Sequence, residues 1–187
     1  MTTVLGVSGS LRNGSYNTLL LHAARELAPE GLVIETFDIA PIPLYNNDVE
    51  LAAFPPAVKD FQDRIRAADG LLIVTPEYHH SLSGVMKNAI DWASRLDQPL
   101  RNKPTAVMGA GTGPSGTRWG QMAFRPVCQA VEMICMNRPE VYISDAPSKF
   151  DEKGTLIDEP SRTAVKDFLL AFAAWIDRVG GRRSPLP

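Results

Sequence analysis

Several features that would commit a chain to a membrane, a nucleic acid or a metal are missing here. No apolar run approaches the ~20 residues that span a bilayer. The first residues lack the basic flank, the longer apolar stretch and the cleavage site of a signal peptide, and Thr3-Val4-Leu5-Gly6-Val7 reads as a strand. A cytoplasmic protein without a membrane partner is expected. The formal net charge is −2, so no global field favours nucleic acid or an anionic surface. The Arg182-Arg183 pair is read as the tip of a flexible, solvated tail at about 181–187 rather than as a binding arm. Cys-x-x-Cys and His-Glu-x-x-His spacings are absent, and no metal site is expected. There are two cysteines, Cys128 and Cys135, seven residues apart in a stretch that reads as helix. Two helical turns place them on one face but roughly 10 Å apart along the axis. A disulfide needs Cα atoms closer than about 7 Å, so no bond is expected between them within one unbroken helix.

What is present is ordinary globular composition, with 44% hydrophobic and 21% charged residues, which argues against disorder. A chain of 187 residues without a composition break or repeat fits one domain, 1–187. Apolar runs alternate with amphipathic stretches. Strands are expected at about 4–8, 32–37, 70–75, 105–109 and 140–143, and helices at about 15–27, 57–67, 83–94, 120–135 and 161–179. Pro126 is expected to kink the fourth helix, because it has no amide proton for residue 122. The run Gly70-Leu71-Leu72-Ile73-Val74-Thr75 is apolar without alternation, as in a strand buried on both faces. Helix-length crossovers between such strands imply a parallel sheet with helices on both sides. Ligands of these sheets sit beyond the C-terminal strand ends, so the loops after the first, third and fourth strands hold the chemistry.

The first of these loops is Ser8-Gly9-Ser10-Leu11-Arg12-Asn13-Gly14-Ser15-Tyr16-Asn17-Thr18. It leaves a strand and enters a helix, whose first amides and dipole attract an anion. Ser10, Ser15, Asn17 and Thr18 add short donors and Arg12 adds charge, a set suited to phosphate. The glycines have P-loop spacing, but Ser15 and Tyr16 occupy the places of Lys and Ser/Thr, so nucleotide hydrolysis is not expected. The Gly-x-Gly-x-x-Gly dinucleotide pattern is also absent, and Asp38 reads as a turn residue. A hydroxyl-rich loop here suits a terminal monophosphate such as that of FMN. The bland alternative is that Ser15 only caps the helix and the glycines only turn the chain.

The second loop opens Thr75-Pro76-Glu77-Tyr78-His79-His80-Ser81-Leu82-Ser83-Gly84 and continues Val85-Met86-Lys87-Asn88-Ala89-Ile90-Asp91-Trp92. It resembles the Pro-Glu-Tyr-Asn…Gly-x-Leu-Lys-Asn-Ala-Ile-Asp-Trp signature of the NADPH-dependent FMN reductase family. The first loop resembles the same family's Gly-Ser-Leu-Arg-x-x-Ser-x-Asn, and order and spacing agree over roughly residues 3 to 180. The resemblance implies a flavodoxin-like three-layer α/β sandwich with a five-stranded parallel sheet in the order 2-1-3-4-5. It also implies bound FMN, NADPH or NADH as electron donor, a small acceptor (a flavin, quinone, azo or nitro compound, or a metal ion) and a homodimer or homotetramer. By the same resemblance Ser10, Arg12, Ser15, Tyr16 and Asn17 hold the ribityl phosphate, while Pro76, Glu77, Tyr78, His79 and Ser81 lie along the flavin ring. Two positions depart from the signature: His79 stands where Asn is usual and Ser83 where Pro is usual.

The residues themselves accord with this. A flavin ring needs a flat slot, amides along one edge and an open face; the turn begun by Pro76 keeps five N–H groups. Hydride chemistry belongs to the cofactor, so no side chain is named as catalytic. Glu77 reads either as a general base or as a polar partner for a nearby loop or subunit. Met86, Ile90 and Trp92 read as helix packing. The third loop, Gly109 to Gly120, forms a further wall through Gly111. Its Arg118 is assigned to a phosphate of NADPH or FMN, with a subunit bridge as the alternative. The rival function is a flavodoxin-like electron carrier or redox sensor without its own nicotinamide turnover.

Overall fold

A computed structural model describes residues 1–180; the tail at about 181–187, with Arg182 and Arg183, lies outside the described residues. The central strand Gly70–Val74 (β3) is buried at every position, as its unbroken apolar run demands. Thr2–Ser8 (β1) pairs with it in parallel, and Leu32–Phe37 (β2) pairs with β1 on the far side. Pro104–Ala110 (β6) lies on the other side of β3, also parallel. The strand-to-strand crossovers are the helices Tyr16–Glu26 (α1), Pro56–Ala67 (α3) and Gly84–Ala93 (α4), followed by Arg118–Ala130 (α5) and Glu159–Gly180 (α7).

Period-two alternation divides the strands between two cores. Val4, Leu72, Val74, Ala106 and Met108 face α1 and α7, where Leu20, Leu21, Phe168, Leu169 and Phe172 meet them. Leu5, Val7, Leu71, Ile73 and Val107 face α3, α4 and α5, packing on Phe61, Ile65, Met86, Ile90 and Phe124. The result is the expected three-layer flavodoxin-like sandwich. Met86, Ile90 and Trp92 are fully buried, as packing residues should be.

Three features differ from the sequence expectation. The fifth strand position is shared by two short strands, Ile134–Cys135 (β7) and Val141–Ile143 (β8), which pair with opposite ends of β6. The order 2-1-3-4-5 therefore survives with its last member split; Pro139 lies in the interval and has no amide proton for a ladder. Secondly, α5 ends at Ala130 rather than near Cys135, with Pro126 inside it. Val131, Met133 and Ile134 continue an apolar rhythm past the true end, and no glycine marks the stop. Thirdly, the region read as loop at 39–48 leads into a short helix, Asn47–Ala52 (α2), capped by the side chain of Asn46. A further one-turn helix, Ala146–Lys149 (α6), follows β8.

The loop before α2 is locked onto α4. Asn88 Nδ2 and Trp92 Nε1 both donate to Pro43 O at 2.8 Å, and Tyr45 N donates to Asn88 Oδ1 at 2.8 Å. Tyr45 and Phe54 meet the Trp92 ring edge-on, a favoured aromatic geometry. Lys87 and Asp91 pair along the exposed side of α4. The back half of the motif, Lys87 to Trp92, is therefore framework.

Candidate active site

The loops after β1, β3 and β6 converge at the C-terminal edge of the sheet. In the first, Ser15 is buried and caps α1 by accepting a hydrogen bond from Asn17 N at 3.2 Å. Asn17 is buried too, and its amide bonds β6: Nδ2 donates to Ala110 O and Oδ1 accepts from Ala110 N, both at 2.9 Å. These two side chains brace the cradle. Its open part is Ser10 to Gly14. Among the described residues, the amides of Ser10, Leu11, Asn13 and Gly14 have no protein acceptor, and Gly14 takes the left-handed φ of 65°. Arg12 is exposed; its guanidinium donates to Gly14 O at 2.8 Å and lies 5.6 Å over the Tyr16 ring. Free amides at the head of an 11-residue helix, beside a loosely held guanidinium, fit a monophosphate dianion.

Gly9 is the point where loops one and two touch. Its amide donates to Val74 O at 2.8 Å and its carbonyl accepts from Ser83 Oγ at 2.6 Å. A Cβ at Gly9 would come within 2.8 Å of Thr75 Oγ1, so only glycine fits this approach. Ser83, one of the two departures from the family signature, is thus accounted for. Its hydroxyl also accepts from Met86 N at 3.3 Å, capping α4.

The segment Pro76–Ser81 is a β-hairpin, which the sequence did not reveal. Glu77–Tyr78 (β4) and Ser81–Leu82 (β5) pair antiparallel, with His79 and His80 as the two turn residues at φ 51° and 60°. Two consecutive left-handed residues define a type I′ turn, the geometry that favours Asn-Gly. The second departure follows from this: an Asn at position 79 would meet a backbone demand, and His79 meets the same demand less readily. Both histidines are exposed, and the His80 ring lies 5.9 Å from that of Trp119. Tyr78, 51% exposed, and Trp119, 46% exposed, complete an aromatic rim. Among the described residues there is no group of three or more His, Cys, Asp or Glu side chains placed to hold a metal.

Glu77 joins the hairpin to the third loop. Its Oε2 accepts from Trp119 N at 2.8 Å and Gly120 N at 3.0 Å. A carboxylate there meets both the free amides and the positive end of α5. Of the two readings from sequence, this geometry matches the partner of a nearby loop. Gly120 permits the contact, since a Cβ there would lie 3.1 Å from Ser81 O. Within the third loop, Gly111 N donates to Ile143 O at 2.9 Å, and buried Thr117 accepts from Gln121 Nε2 at 2.9 Å. Arg118 is exposed and sits 5.2 Å over the Tyr142 ring. It borders the third loop on its β8 side, away from the hairpin contact made by Trp119. Burial raises the Tyr142 phenol above its ordinary range, with the nearby Glu140 carboxylate acting the same way and the Arg125 and Arg118 charges opposing.

Sequence reasoning placed the three loops but missed Ser83, Thr117 and Gln121 as the residues that hold them. A concavity of about 1420 Å³ lies at the opposite edge of the sheet around Asp69, Arg101, Lys103 and Trp175. It includes none of the loop residues.

The model of the NADPH-dependent FMN reductase family matches residues 2–148. An NAD(P)H-dependent FMN reductase of Pseudomonas aeruginosa is 49% identical over 95% of this chain and 97% of its own. A 2-hydroxy-1,4-benzoquinone reductase of Burkholderia is 41% identical over 91% and 93%. Among solved structures, FerB, a flavoenzyme NAD(P)H:(acceptor) oxidoreductase of Paracoccus denitrificans, superposes with a TM-score of 0.88 at 34% identity, covering 96% of this chain and 99% of that one.

Proposed function

The chain belongs to the NADPH-dependent FMN reductase family, and from that premise we propose that its three-loop crevice holds FMN and that a quinone is its acceptor. It is an oxidoreductase that uses FMN and a reduced nicotinamide. The observation that carries the site assignment is the contrast inside the crevice: a row of unpaired amides beside Arg12, set against a hairpin and third loop already bonded to each other. The first loop fits the phosphate through Ser10, the Arg12 side chain and the free amides of Leu11, Asn13, Gly14 and Tyr16. Ser15 and Asn17 shape that cradle from behind.

When bound, FMN supplies two-electron hydride chemistry between nicotinamide and acceptor. The chain's own contribution is placement. Pro76, Glu77, Tyr78, His79 and Ser81 form the hairpin wall, and Gly111 belongs to the opposite loop. Tyr78, His80 and Trp119 edge the open side with aromatic surface, which suits a flat conjugated acceptor; a relative that reduces a benzoquinone supports that choice. Arg118 stands near enough to the third loop to meet a nicotinamide phosphate. No helix among the described residues is long and apolar enough to cross a membrane. We place the activity in the cytoplasm, where reduced nicotinamide is supplied, and infer a homo-oligomer; Leu44 and Leu51, 82% and 78% exposed, are apolar surface of the kind a second copy covers.

The test is an absorbance spectrum of the purified protein followed by anaerobic titration with NADPH and then a benzoquinone. Bound FMN that bleaches with NADPH and recovers with the quinone is the expected result. Colourless protein that takes up no added FMN defeats the proposal. Sustained NADPH consumption with quinone alone separates the enzyme from an electron carrier that needs a protein partner. Light scattering reports the oligomer, with a monomer as the contrary result.

A further inference from the structure

The two cysteines lie outside the crevice, and the proposed function leaves them unused. The early end of α5 changes their relation. After Ala130 the chain turns through Val131–Met133, with Glu132 at φ 58° and Met133 N donating to Cys128 O at 2.9 Å. That reversal brings Cys135, on β7, back alongside the last turns of α5. The two side chains lie near enough to act on each other electrostatically, and the Cys135 thiol donates to Met136 O at 3.7 Å. Both side chains pack in the core beneath α5. Cys128 is 2% exposed and Cys135 is half-buried on the last strand of the sheet path. The obstacle expected from an unbroken helix, about 10 Å of axial separation, is therefore gone.

We propose that Cys128 and Cys135 are a redox modification site: a dithiol that hydrogen peroxide closes to an intrachain disulfide, at the end of α5 remote from the crevice. The two thiols have unequal parts. The Cys128 thiol beside it lowers the Cys135 thiol, and the Arg125 charge adds to this against the effect of burial. The Cys135 thiol and burial push Cys128 up. Cys135, the more accessible sulfur and the better thiolate, attacks first. Its sulfur bonds to one peroxide oxygen as the O–O bond breaks; the sulfur is oxidised to sulfenic acid and hydroxide leaves to take up a proton as water. The Cys128 sulfur then displaces the sulfenic oxygen, its proton leaving with that oxygen as a second water. Two thiols and one peroxide become one disulfide and two waters.

The site is independent of flavin binding. The test is mass spectrometry of the purified protein after peroxide. Trypsin has no cleavage site between the two cysteines, since residues 129–134 contain neither Lys nor Arg. The expected product is one peptide lighter by two hydrogens that takes no iodoacetamide until dithiothreitol is added. Cys128→Ser is expected to leave Cys135 as a sulfenic acid that dimedone traps, and Cys135→Ser to abolish the peroxide-dependent mass change. Wild-type protein whose two cysteines both remain alkylatable, that carries oxidised Cys135 beside free Cys128, or that links between chains overturns the proposal.

Discussion

The first loop and the hairpin that faces it are built on opposite plans. Leu11 to Gly14 is exposed, with Ser10 half-buried beside it; the stretch carries unpaired amides and holds its one charged side chain only by bonds to its own backbone. The hairpin at Glu77–Leu82 is bonded to the third loop through Glu77, and Ser83 next to it is bonded to Gly9. One segment keeps its hydrogen-bonding capacity for something that is not protein; the other is braced against neighbouring loops and serves as wall. The lesson is that side-chain chemistry alone does not identify a binding group. Asn17 and Ser15 look like phosphate ligands in the sequence, yet each already bonds backbone, Asn17 at Ala110 and Ser15 at the start of α1.

That contrast is open to attack by mutation. The largest effect is expected from Asn17→Ala, which leaves the buried amide and carbonyl of Ala110 without partners. At roughly 1–3 kcal/mol for each unsatisfied group, the apoprotein should lose about 2–6 kcal/mol in a urea melt. A loss of FMN affinity with unchanged stability would instead make Asn17 a direct ligand. Next comes Arg12→Ala, expected to weaken FMN by about 1.5–3 kcal/mol, or roughly ten- to a hundredfold, while the apo melting curve stays in place. Calorimetric titration reads the first and a thermal melt the second.

Glu77 sharpens the wall side. Glu77→Ala removes an acceptor from two α5 amides that are partly open to water, and about 1–2 kcal/mol of apo stability should go with it. Glu77→Gln keeps an acceptor and should recover most of that. A collapse of turnover with Glu77→Gln but no change in stability would favour the general-base reading. The smallest effect belongs to the turn: His79→Asn suits the left-handed backbone and should raise stability by up to about 1 kcal/mol in a thermal melt. A marked drop would mean that the imidazole makes a contact of its own.

How much of this was legible depends on the range of the forces involved. The buried strands announce themselves locally: β3 is apolar at every residue, and β2 matches its expected bounds of 32–37. Helix starts were clear where Ser15 and Ser83 cap them. The hairpin was hidden because two-residue strands carry no alternation and because His-His is not a turn signal. The end of α5 was hidden because apolar residues continue beyond Ala130. The bracing of the crevice left no local trace: Asn17 meets Ala110 across 93 positions, Ser83 meets Gly9 across 74 and Glu77 meets Trp119 across 42. The motif around Trp92 was legible as a pattern, yet its work on Pro43 and Tyr45 is fixed only by the folded loop.

The most direct measurement compares FMN with riboflavin, which has the same ring and ribityl chain but no phosphate, by calorimetric titration of the apoprotein and of Arg12→Ala. If the amides and guanidinium of the first loop grip the phosphate, FMN binds wild type tighter by at least about tenfold, and Arg12→Ala narrows that gap while leaving riboflavin unaffected. Equal affinities for the two flavins in wild type would contradict the account.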